Sequence, residues 1–189
     1  MSKLQELKKH LRAGQVYRRA DLTKWSTSVD RHLRQLVEEG FLEKVSGGVY
    51  SRPKRSVFGN VPAADQKLVE AFLKDSNFLV TSPNHFNSLG LGLTQLRSET
   101  VVYNLKRHGE YTLGGRTFKF KRVYRPLPKA LSREFLLVDL VDNLRMLGED
   151  AEEVATRVRE KAAQFGQVVL ARTAQRYGGA AAKRFFATA

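Results

Sequence analysis

The chain has 189 residues, 42% of them apolar and 10% aromatic, which suffices for packed cores and excludes wholesale disorder. There is no cysteine, so disulfides and thiolate metal sites are excluded, and 33 Lys+Arg against 19 Asp+Glu leave a net charge of +14. That surplus points to a polyanion, nucleic acid first, ahead of an inert cationic surface or anionic lipid. Residues 1–7 lack the continuous apolar core of a signal peptide. The apolar stretch 135–147 is broken by Asp139, Asp142, Asn143 and Arg145. A cytoplasmic location without a membrane partner is the expectation.

In chain order, Leu4, Leu7 and Leu11 recur at helical spacing and Gly14 closes that helix. Val16 and Tyr17 read as a short extended piece, and 20–25 as a second short helix with Leu22 and Trp25 inward. Ser26, Thr27 and Ser28 suit a helix start, and Thr27 with Asp30 has capping-box spacing. Val29, Leu33, Leu36 and Val37 form one stripe of the third helix. At 3.6 residues per turn, Thr27, Arg31, Arg34, Gln35 and Glu38 fall opposite. Gly40 ends it. Residues 41–45 and 49–51 read as two strands about a Ser46-Gly47-Gly48 turn.

Three helices followed by a Gly-Gly hairpin is the order of a winged helix-turn-helix, whose third helix enters the major groove. Arg31 and Arg34 present forks suited to guanine and Gln35 an amide suited to adenine. Thr27 and Ser28 suit a phosphate at the helix start. Lys44 in the hairpin, and Arg52, Lys54 and Arg55 beyond it, are expected on backbone phosphate, with Arg18, Arg19 and Lys24 flanking the other side.

Pro53, Gly59 and Pro62 mark 52–62 as a linker, Pro62 opening the next helix, whose inward face is Leu68, Val69, Phe72 and Leu73. A buried strand at 78–81, a turn at 82–84, a short element at 85–89 and strands at 100–105, 110–113 and 117–123 follow. The basic run from Arg116 to Arg125 reads mainly as a blunted sheet edge. Helices are expected from Ser132 to Leu147, from Asp150 to Phe165 with Glu149 at its acidic start, and from Val168 to Tyr177. Lys183-Arg184-Phe185-Phe186 then docks on the core or meets a partner.

The four histidines show no paired metal-ligand spacing. There is no phosphate-loop or nucleophile-elbow motif: Gly90 and Gly92 form a lone GxG, with Gln95 where a third glycine is required. Asp139 and Asp142 share a helical face and could hold Mg²⁺, although capping a buried polar contact, or ion pairing with Arg133 or Arg145, is the more economical reading. No cofactor, no metal and no catalytic residue are expected.

Leu36-Val37-Glu38-Glu39-Gly40-Phe41-Leu42 and Gly47-Gly48-Val49-Tyr50 resemble the AbiEi-type antitoxins of bacterial type IV toxin–antitoxin systems. So do Phe78-Leu79-Val80-Thr81-Ser82-Pro83, Val101-Val102-Tyr103-Asn104 and the run from Phe135 to Leu144. The resemblance implies an autorepressor on operator inverted repeats that counteracts a nucleotidyltransferase-like toxin, with toxin contact not required. The fold expected is α+β: a winged helix-turn-helix over 1–56, then a mixed α/β domain over 61–189 with a small antiparallel sheet and a helical C-terminus. Two rivals stay open: a metal-dependent RNA- or nucleotide-directed enzyme using Asp139 and Asp142, and a winged-helix protein-interaction module. Oligomeric state is left open.

Overall fold

The computed structural model describes residues 2–93, 96–148 and 150–187. The chain is α+β, with small antiparallel sheets and a helical C-terminal part. It divides into two compact units. The first holds Met1–Ser76 and Gly109–Phe118, the second Asn77–His108 and Lys119–Ala189.

The first unit begins with α1 (Lys3–His10), opened by an unpredicted capping box in which Ser2 and Gln5 satisfy each other's backbone N–H. Then come β1 (Gln15–Arg18), α2 (Arg19–Leu22), a 3₁₀ turn Thr23–Trp25 and α3 (Val29–Glu38). β2 (Glu43–Ser46) and β3 (Val49–Arg52) follow, and the sheet order is β1-β3-β2, with β3 antiparallel to both neighbours. Gly48, at φ +70°, takes the left-handed position of the β2–β3 turn. Leu7, Leu11, Leu22, Val29, Leu33, Leu36 and Leu42 form the buried core, with Trp25 and Phe41 packed against it. Each fully buried leucine contributes about 1.5–3 kcal/mol relative to exposure. The stripe that defines α3 also buries His32, whose Nδ1 lies 2.8 Å from Ser26 Oγ.

Three local expectations give way here. Thr27 and Asp30 form no capping box: Ser28 is the N-cap and makes no side-chain bond, because Asp30 is drawn instead to Arg19. The linker is a hairpin, β4 (Lys54–Ser56) and β5 (Gly59–Val61), since its prolines lie outside both strands and leave the ladder N–H groups intact. The next helix, α4 (Asp65–Leu73), starts three residues after Pro62. It packs on β1 and Lys67 donates to the Gly14 carbonyl at 3.0 Å, so the boundary falls after Ser76 and not at 57–60.

The remaining strands are β6 (Phe78–Thr81), β7 (Thr100–Asn104), β8 (Gly109–Leu113) and β9 (Arg116–Arg122), in sheet order β6-β7-β9-β8. β9 therefore has neighbours on both sides, and its basic run blunts no edge. The lysines are engaged instead on its face: Lys119 pairs with Glu99 at 2.8 Å and Lys121 donates to Asn143 at 3.0 Å.

In the second unit a 3₁₀ stretch, Pro83–Leu89, follows β6. The helices are α5 (Arg133–Asn143), continued by a 3₁₀ turn Leu144–Met146, then α6 (Ala151–Ala162), α7 (Gln167–Tyr177) and α8 (Ala180–Ala187). Ser132 caps α5 through the Phe135 N–H, and Asp150 caps α6 through those of Glu152 and Glu153. α5 is buried on nearly every side, against α7, α8 and the Pro83–Leu89 stretch. Phe186 is buried among these helices, so the basic-aromatic tail docks on the core of its own unit. The expectations on Gln95 and Glu149 lie outside the described residues. No helix among the described residues is long and apolar enough to cross a membrane.

Candidate nucleic-acid interface

α3 has one apolar and one polar face, and the packing fixes which looks out. Val29, His32, Leu33 and Leu36 are buried; Asp30, Arg31, Arg34, Gln35 and Glu38 are exposed. Spacings of one, three and four residues put Arg31, Arg34 and Gln35 on one outward strip. Thr27 and Ser28 are exposed just before the helix, where its first N–H groups have no side-chain cap.

Cations on this unit fall into two sets. Arg18 forks onto Asp21 through Nε and Nη2 at 2.6 and 2.9 Å. Arg19 forks onto Asp30 at 2.5 Å through both nitrogens, and that guanidinium holds the Asp30 carboxyl below its ordinary range. Lys24 lies 4.2 Å above the Trp25 ring. Arg52 donates to the Leu11 carbonyl and stacks on Phe41 at 4.4 Å. These four are the chain's own fasteners, so Arg52 leaves the set of phosphate-binding candidates, as do the flanking Arg18, Arg19 and Lys24. Arg31, Arg34, Lys44, Lys54 and Arg55 are exposed and form no hydrogen bond or ion pair with the described residues.

Gln35 is held as well as exposed. Its Nε2 donates to Glu39 Oε1 at 2.9 Å, and Lys8 takes the other Glu39 oxygen at 2.7 Å. Both bonds hold the Glu39 carboxyl below its usual range. One of the two amide N–H groups is engaged there, which leaves the Gln35 amide oxygen and the second N–H to meet a base edge. Sequence periodicity shows the face but not this brace, because Lys8 is 31 residues away from Glu39.

The second unit contains a buried polar cluster. Asp139 is 1% exposed and accepts from Tyr103 at 2.9 Å and from Asn143 at 3.2 Å. Burial raises its pKa to about 6, and burial beside that carboxylate also raises the Tyr103 phenol. Burial lowers Lys121. These groups line a cavity of about 200 Å³. Asp142 has other work: it accepts from the Gly179 and Ala182 N–H groups at the start of α8 and pairs with Arg125 at 2.9 Å. Its partner is thus Arg125, from a loop, and neither Arg133 nor Arg145. Among the described residues no group of three acidic or histidine side chains is arranged to hold a metal ion.

Comparison with known protein families, with curated proteins and with solved structures finds no match to this chain.

Proposed function

We propose that the first unit is a winged helix-turn-helix that binds duplex DNA, with α3 in the major groove, and that the protein is a transcriptional regulator and not an enzyme. The observation that carries this reading is the outward strip of α3: two arginines unengaged by the described residues and a braced glutamine, with Lys44, Lys54 and Arg55 exposed and equally unengaged on the same unit. The element order α1-β1-α2-α3-β2-β3 and the sheet order β1-β3-β2 support it. Arg31 and Arg34 would select bases, while Lys44, Lys54 and Arg55 would neutralise phosphates. The net charge of +14 supplies the field that gathers DNA.

The resemblance to AbiEi-type antitoxins supplies the biological setting: autorepression of a toxin–antitoxin operon from inverted repeats. In that setting the second unit counteracts a nucleotidyltransferase-like toxin, with or without touching it. Anisotropy with duplex from upstream of the gene, against random duplex, tests the DNA reading. Arg31→Ala is expected to lower binding to the specific site by about 1–3 kcal/mol while leaving random duplex little changed. Equal losses on both sequences would remove the base-reading role. The antitoxin role is checked by co-expressing the chain with the neighbouring toxin frame and scoring growth.

A further inference from the structure

We propose that the β4–β5 hairpin is a wedge, its tip residue Phe58 entering between base pairs from the minor groove while Lys54 and Arg55 hold the adjoining phosphates. The inference rests on the DNA reading above and adds to it a second contact that bends the duplex.

Two large apolar side chains stand at the hairpin tip almost wholly in solvent, Val57 at 93% and Phe58 at 98%. Isolated exposed apolar residues are ordinary, but these are adjacent, and every residue of both hairpin strands is exposed as well. The tip is nevertheless preorganised. Ser56 Oγ accepts from the Phe58 N–H at 3.2 Å and donates to the Gly59 carbonyl at 3.0 Å. Gly59 takes the positive φ of +108° that the turn requires. Asn60 donates to Glu43 at 3.1 Å, fastening the ribbon to β2.

Charge complementarity identifies the occupant. From Arg52 to Ala64 there is no acidic residue, and exposed Lys54 and Arg55 stand on the strand leading to the tip. A second copy docking here would bring like charges together. Lipid is a poor match for two apolar side chains on a narrow ribbon without an amphipathic helix. Base steps suit it: Phe is among the residues that unstack them from the minor groove, and two-stranded ribbons fit the grooves of DNA. β3 separates the two hairpin turns, with the Gly47–Gly48 turn at its start and the ribbon at its end. The tip would therefore meet a different stretch of duplex from the one met by that turn.

The test uses the full chain with upstream duplex labelled at both ends, reading affinity by anisotropy and bend by energy transfer. Wild type is expected to bend the duplex by about 20–90°. Phe58→Ser should bind about tenfold more weakly and leave the duplex straight, whereas Phe58→Leu, which keeps an apolar wedge, should retain most of both. If Phe58→Ser binds and bends like wild type while Arg31→Ala loses specific binding, the wedge is overturned and the DNA reading stands. Failure of wild type to bind any duplex overturns both. A Phe58-dependent change in sedimentation or in pelleting with phosphatidylserine vesicles, at unchanged DNA affinity, gives the tip to a second copy or to lipid and overturns the wedge.

Discussion

What an arginine does here is decided by what lies within reach of its fork. Arg52 reaches the Leu11 carbonyl and the Phe41 ring, and so closes the first unit's core. Among the described residues Arg31 has no such partner. Arg52→Ala is therefore expected to lower folding stability by about 1–2 kcal/mol, read by urea denaturation, with specific DNA affinity of the folded protein unchanged. Loss of affinity at full stability would return Arg52 to the interface. Asp139 makes a prediction in pH. Its folded pKa of about 6 lies above the ordinary 3.8, so the folded state holds a proton that the unfolded state has released between those values. Stability from this group falls as pH rises from about 4 to 6 and is level above that. Asp139→Asn removes the titration. Its stability relative to wild type should rise across that window by on the order of 3 kcal/mol. A difference independent of pH would show that the carboxyl is not held protonated.

At the scale of elements, α8 depends on one side chain from α5. Asp142 meets the Gly179 and Ala182 N–H groups where the helix dipole is positive, and Arg125 balances its charge. The approach is close enough that a Cβ on Gly179 would lie 2.9 Å from the carboxylate. Asp142→Ala should cost about 3 kcal/mol, because it leaves Arg125 in a partly buried site with only its 4.0 Å approach to Asp139 and leaves the helix start uncapped. Hydrogen exchange is expected to show α8 opening before α5. Uniform protection in the variant would mean that apolar packing of Phe186 suffices. α3 has a different logic, since its inward stripe holds it whatever the outward strip carries.

For the whole molecule, the charge surplus of +14 predicts that the proposed DNA binding is sensitive to salt. Three to five phosphate contacts from the unengaged cations predict a slope of log K on log salt of about −3 to −4.5. Lys54→Ala should weaken specific and random duplex alike and reduce that slope by about 1. A slope near zero would count against backbone contacts altogether. The division into units matters for truncation: because α4 and Gly109–Phe118 belong with the first unit, a fragment ending at residue 56 would lack part of what packs there. It should be less stable than the full chain in thermal melts, and equal stability would restore the earlier boundary.

Much of the local structure was legible beforehand. The Leu4-Leu7-Leu11 spacing and the stripe of α3 are written at a period of 3.6, the Gly47–Gly48 turn in its glycines and the strand Phe78–Thr81 in a short continuous apolar run, all signals that neighbouring residues set among themselves. The outward placement of Arg31, Arg34 and Gln35 follows from that stripe. The freedom or engagement of each cation was not legible: Arg19 and Asp30 are 11 residues apart, Asp142 and Gly179 are 37, and Arg52 and Leu11 are 41. Local pattern likewise mistook the β4–β5 hairpin for a linker and the inner strand β9 for an edge. Periodicity records how a residue relates to its chain neighbours. Pairing across a sheet or between helices is decided by contacts that form only when distant segments are brought together.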